Sequence, residues 1–142
     1  MEEKMIKQLA HVCLLTNDLA ATEDFYCRVL KLHSRFDFYK DNARFGLYLD
    51  AGNGTFIEVF KDDSEQSEKA SVQNIKHLCF QVDDIEETIQ TLRNNDIDIS
   101  DKKMGADNSW QSWCKDPNGV DIELHQYTDQ SLQLTGGICY VQ

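Results

Sequence analysis

The amino-acid sequence predicts an α+β fold built from two similar modules. Three observations lead there. First, the chain repeats itself. "HVCLLTNDLAATEDFYCRVL" from His11 aligns with "HLCFQVDDIEETIQTLRNND" from His77 at an offset of 66 residues. His11 meets His77, Cys13 meets Cys79, Asp18 meets Asp84 and Thr22 meets Thr88, while Val12, Leu14 and Leu19 meet Leu78, Phe80 and Ile85. Self-similarity at a fixed spacing signals a duplicated structural unit. Second, each copy passes from a short apolar run to a helical period. Third, each copy ends in runs that alternate apolar and polar residues, the mark of strands with one buried face.

"LAHVCLL" (9–15) is short, apolar and bounded by polar residues, and reads as the opening strand. The helix after it carries Leu19, Thr22, Phe25, Tyr26, Val29 and Leu30 on one broad stripe, with Asn17 or Asp18 as its cap. "RFGLYLD" (44–50) and "TFIEVFK" (55–61) follow as strands. The second copy opens with "IKHLCFQV" (75–82). Its helix places Ile85, Thr88, Ile89 and Leu92 at i, i+3, i+4 and i+7, with Asp84 and Glu87 as a capping-box pair. "NSWQSWCK" (108–115) and "GVDIELHQY" (119–127) close it. "DPNG" (116–119) joins these two, with Pro and Gly where a type I turn takes them.

At 142 residues the chain has the size of one domain with a sizeable core. Residues 1–142 therefore read as a single domain of two modules, about 6–60 and 74–127. The charged stretch 61–73 is the linker and 128–142 a C-terminal tail to which the sequence assigns no role. The net charge of −11 repels phosphate backbones, which argues against a nucleic-acid partner. No apolar run reaches bilayer-spanning length, and "MEEKMIKQLAHVCLL" lacks the basic start of a signal peptide, so no membrane partner and a cytoplasmic location are expected. Five cysteines, an odd number without a C-x-x-C pair, fit free thiols in a reducing compartment.

Alternation sorts the strand residues into faces. Ala10, Val12 and Leu14 share one face of the first strand; His11, Cys13 and Leu15 share the other. In the second copy Leu78, Phe80 and Val82 oppose His77, Cys79 and Gln81. Ile57 and Val59 oppose Phe56, Glu58 and Phe60, and Val120, Ile122 and Leu124 oppose Asp121, Glu123 and His125. The wholly apolar faces belong under the helices, which leaves the histidines and glutamates facing a cleft. Glu58 follows His11 by 47 residues and Glu123 follows His77 by 46. A single His or Glu on a strand has ordinary structural explanations. Two His/Glu pairs at matched spacing point to a divalent metal bound by His11, Glu58, His77 and Glu123, with positions left for water or substrate.

Those residues resemble the vicinal-oxygen-chelate superfamily, the glyoxalase/bleomycin-resistance/extradiol-dioxygenase fold. "LAHVCLLTNDLAATEDFYCRVLKL" is similar to its opening strand and helix. Phe25-Tyr26 and Val29-Leu30 match the family's FY…vLG pattern, with Lys31 where that pattern has Gly. "IKHLCFQVDDIEETIQTLRNNDIDI" and "WQSWCKDPNGVDIELHQY" resemble the start and the closing hairpin of the second module. The resemblance covers residues 6 to 127 and implies paired βαβββ modules forming a curved mixed sheet, a metal-binding cleft, and helices on the outer face. Within the superfamily, His11, Glu58, His77 and Glu123 match the ligand set of bacterial-type glyoxalase I, lactoylglutathione lyase. That similarity implies a Ni, Co or Zn ion, glutathione as cosubstrate and a homodimer. It implies isomerisation of a 2-oxoaldehyde–thiol hemithioacetal through an enediolate whose oxygens bind the metal. It also implies a liganding glutamate, Glu123 or Glu58, as the catalytic base.

Other activities in the superfamily make competing expectations. Extradiol dioxygenases use two His and one carboxylate with Fe(II), which His11, His77 and Glu123 supply, with Glu58 spare and His125 in reach as an extra histidine. Fosfomycin-modifying enzymes and epimerases of CoA esters use similar sets, with Fe or Mn among the metals. A drug-binding protein of the bleomycin-resistance type is the non-enzymatic alternative. His125 reads first as a residue lining the cleft beside Glu123, and His33 as a surface residue. Arg35, Arg44, Lys102 and Lys103 are candidate partners for substrate carboxylates. Residues 100–110 read as a mobile loop over the cleft, and of Trp110 and Trp113 only one faces it.

Overall fold

A computed structural model describes residues 8–62, 75 and 77–141. The chain divides into two compact units, Met1–Ser67 and Glu68–Gln142. Most of the expected linker, from residue 63 on, lies outside the described residues. Among the described residues no helix is long and apolar enough to cross a membrane.

The first unit runs β1 (His11–Thr16), α1 (Leu19–Glu23), β2 (His33–Lys40), β3 (Ala43–Gly52) and β4 (Thr55–Lys61). Its sheet has the order β1-β4-β3-β2, with β1 parallel to β4 and the other neighbours antiparallel. Asp18, in extended conformation, caps α1 by accepting from the Ala21 N–H at 3.0 Å. α1 continues into a π-helical segment, Asp24–Val29, where Phe25, Tyr26 and Val29 are buried. The helix stops at Lys31, which has φ +63, and the Leu30 and Leu32 N–H groups close the end on the Phe25 and Tyr26 carbonyls at 2.9 Å. The helical layer packs on β3 and β4. Its partners there are Leu47, Leu49, Ile57 and Val59, all essentially inaccessible. Burying each such side chain is worth about 1.5–3 kcal/mol.

The second unit repeats the plan with β5 (His77–Gln81), α2 (Ile85–Asn94), β6 (Lys103–Met104), β7 (Trp110–Lys115) and β8 (Asp121–Gln126), then adds α3 (Leu132–Thr135). Its order, β5-β8-β7-β6, matches the first sheet strand for strand. Asp84 caps α2 by accepting from the Glu87 N–H at 3.0 Å. Ile85, Ile89 and Leu92 are buried along its inner face, above Ile122, Leu124 and Cys114. The turn at 116–119 closes with the Gly119 N–H on the Asp116 carbonyl at 3.0 Å, and the Asp116 carboxylate accepts from the Asn118 and Val120 N–H groups.

Two short or exposed strands go beyond the sequence expectation. β2 begins at His33, which is exposed as expected but is part of a strand. β6 is two residues long and lies inside the stretch read as a loop. That stretch is tied down: the Leu132 N–H donates to the Asp107 carbonyl at 2.9 Å, and Ser109 Oγ donates to Ser131 Oγ at 2.8 Å. The first part of the tail thus belongs to the second unit.

Candidate metal-binding site

In the first unit β1 and β4 lie side by side in parallel, with Cys13 opposite Glu58. Ile57 and Val59 point into the core, so the alternation of β4 turns Glu58 to the other face. His11 Nε2 stands 3.8 Å from Glu58 Oε1. β3 adds Tyr48, the residue paired with Glu58, whose hydroxyl lies 3.2 Å from His11 Nδ1. A partner on Nδ1 leaves Nε2 as the nitrogen available to a metal. Beyond Cys13 and Leu15, this face is largely aromatic. Phe36 stacks on Tyr48 with ring centroids 4.6 Å apart, Phe56 lies 5.1 Å from Tyr48, and Phe38 lies 4.9 Å from Phe60.

The second unit reproduces the register, with Cys79 opposite Glu123. His77 Nε2 is 3.4 Å from Glu123 Oε1. The other carboxylate oxygen, Oε2, is 3.1 Å from His125 Nε2. Glu123 and His125 are each only 8% exposed, unlike the half-buried Glu58. Trp113, paired with Glu123 across β7 and β8, meets the His77 ring edge-on at 4.9 Å. Trp113 is therefore the tryptophan on the histidine face, whereas Trp110 lies under the Lys102 ammonium.

Both thiols on these faces stay protonated at neutral pH. Partial burial pushes Cys79 up to about 12, reinforced by the Glu123 charge and hydrogen bond and by Asp107. Burial and Glu58 push Cys13 up to about 11. Each thiol thus acts as a neutral donor toward its glutamate. Burial alone would raise Asp107, but hydrogen bonds from Gln133 and the Ser109 N–H, with the nearby His125, hold it below its usual value.

The donor chemistry suits a divalent transition metal. Imidazole nitrogen and carboxylate oxygen bind such ions at about 2.0–2.2 Å, which sets neighbouring donors roughly 3 Å apart. The His11/Glu58 and His77/Glu123 separations are close to that. Each unit therefore brings together its own His/Glu half of the expected ligand set. Of the basic residues considered for substrate carboxylates, Arg44 is already engaged by both oxygens of Glu23 and by Asp37. Lys102 pairs with Glu86 at 3.0 Å. Arg35 and Lys103 are exposed. Alternation already put His125 beside Glu123 in the sequence, whereas Tyr48 was not evident there. Parity of "RFGLYLD" puts Tyr48 on one face, but only the β3–β4 register shows that this is the face of Glu58.

The model of the Glyoxalase/Bleomycin resistance protein/Dioxygenase superfamily matches residues 8–124, and the chain belongs to this superfamily. It is 26% identical over 126 residues to the uncharacterized protein YaeR of Escherichia coli K12, covering 85% of this chain and 97% of that one. Among solved structures, a glyoxalase family protein from Enterococcus faecalis superposes with a TM-score of 0.73 at 24% identity, covering 86% of this chain and 99% of the other. A lactoylglutathione lyase from Agrobacterium tumefaciens superposes with a TM-score of 0.67 at 18% identity, covering 87% and 96%. At these identities the solved structures establish the shared fold.

Proposed function

We propose that this member of the superfamily is a metal-dependent enzyme of the glyoxalase I type, acting on the hemithioacetal of a 2-oxoaldehyde and a thiol such as glutathione. The observation that carries the reading is the duplicated pair: histidine Nε2 against glutamate carboxylate, at 3.8 Å in one unit and 3.4 Å in the other, in the same strand register. The reading takes His11, Glu58, His77 and Glu123 as the ligands of one divalent ion, Ni, Co or Zn, in a homodimer.

When bound, such an ion acts as a Lewis acid for negative charge that develops on substrate oxygen. The chain's own groups do the rest. Tyr48 orients His11 through Nδ1. A glutamate carboxylate, of Glu58 or Glu123, takes the proton from the carbon bearing sulfur and oxygen and returns it to the neighbouring carbon. Aromatic residues line the face around Glu58. A second reading, an extradiol-type dioxygenase using His11, His77 and Glu123, is favoured by that aromatic face and by buried His125.

Metal analysis and one assay test the reading. Purified protein should carry a divalent ion that is lost in Glu58→Gln and His77→Ala, and equal metal in all three would refute the site. Methylglyoxal and glutathione should give thioester absorbance with Ni2+, Co2+ or Zn2+. Silence there, with oxygen uptake on catechols in the presence of Fe2+, would favour the second reading. Drug binding by metal-free protein with neither activity would favour the non-enzymatic one.

A further inference from the structure

The second unit holds a donor cluster of which the four-ligand reading uses only Glu123. We propose that Cys79, Glu123 and His125 form a separate site for a thiophilic divalent cation, of the Zn2+, Co2+ or Cd2+ class, built by the second unit alone. One ligand atom from each residue lies within 4.8 Å of the other two. The Glu123 Oε2 to His125 Nε2 distance is 3.1 Å. Donors sharing one tetrahedral ion at 2.0–2.3 Å sit roughly 3–4 Å apart, so small side-chain shifts close the cluster on an ion. Glu123 and His125 are more than nine-tenths buried, whereas Cys79 is exposed. Three protein ligands with one open side match the pattern of an ion that keeps a water. Asp107 adds negative charge close to both Cys79 and His125.

The duplication sharpens the assignment. Cys13 and Glu58 repeat Cys79 and Glu123 in register, but Phe60 stands where the second unit has His125. The first unit therefore offers two of the three donors, and the second unit all three. Glu123 is also the one residue shared with the four-ligand set. Its Oε1 faces His77 and its Oε2 faces His125. Binding replaces the Cys79 S–H bond with a sulfur–metal bond and releases that proton to the buffer.

The test is a Co2+ titration of the full chain after chelator treatment, followed in the near ultraviolet. One equivalent should raise a thiolate-to-cobalt charge-transfer band and release a proton. The band should be absent in Cys79→Ser, weakened at least tenfold in apparent affinity in His125→Phe, and unchanged in Cys13→Ser. It should also persist in His11→Ala, which removes a ligand of the four-ligand set only. Unaltered metal binding in His11→Ala would thus count against the four-ligand reading and leave this site standing. Absence of the band in wild type, or its survival in Cys79→Ser, overturns the proposal. Should Cys79→Ser not fold, wild-type affinity in His125→Phe overturns it on its own.

Discussion

A carboxylate in a strand is defined by what holds each of its oxygens. Glu123 has a histidine on each side, and Glu58 has one histidine and an aromatic surround. The two glutamates occupy equivalent places in the repeat, yet their surroundings give them different freedom. His11 is held on Nδ1 by the Tyr48 hydroxyl. Removing that hydroxyl should loosen the imidazole without touching the fold, because Phe keeps the ring that stacks on Phe36. We therefore expect Tyr48→Phe to weaken divalent-metal affinity by about tenfold or more, within the range for partners of liganding histidines. Competition against a chromogenic chelator measures this, and unchanged affinity at unchanged stability would remove Tyr48 from the site.

At the scale of elements, the repeated Asp caps show how closely local signals follow the sequence. Asp18 and Asp84 each accept from the N–H three residues on, which places the first cap on Asp18 rather than Asn17. The end of the first helical segment departs from the family pattern. Lys31 occupies the position of the family glycine and adopts φ +63, a conformation that costs a side-chain-bearing residue about 1–2 kcal/mol. Allowing for the greater freedom glycine has when unfolded, Lys31→Gly should stabilise the protein by roughly 0.5–1 kcal/mol, read as a higher urea midpoint at constant slope. A lower midpoint would mean that Lys31 makes a compensating contact. The elements that escaped the sequence share a physical reason. β2, "HSRFDFYK", interleaves charges with Phe36 and Phe38 and is exposed at most positions as the outer strand of its sheet. β6 is too short to show a period. The His and Glu residues were legible because alternation and duplication both mark them. Tyr48 and Trp113 were not, because strand pairing is a non-local fact that parity alone does not contain.

At the scale of the whole molecule, duplication provides each function-bearing position twice, and divergence then distinguishes the copies. The first unit surrounds its pair with Phe36, Phe38, Phe56 and Phe60; the second surrounds its pair with Cys79, His125 and Trp113. The carboxylate of one copy thus has apolar neighbours, and that of the other has polar ones. If one ion takes ligands from both copies, its binding is linked to the folding of both. Binding to the native state alone stabilises by RT ln(1 + [L]/Kd), about 2.7 kcal/mol at a hundredfold excess over Kd. For a chain of this size that is roughly a 5–10 °C rise in Tm. Added Ni2+ should produce such a rise in wild type. Glu58→Gln, in the first unit, should abolish most of it, and so should His77→Ala, in the second. A rise that survives Glu58→Gln but not His77→Ala would place the ion on the second unit's donors alone, and the four-ligand reading would fall.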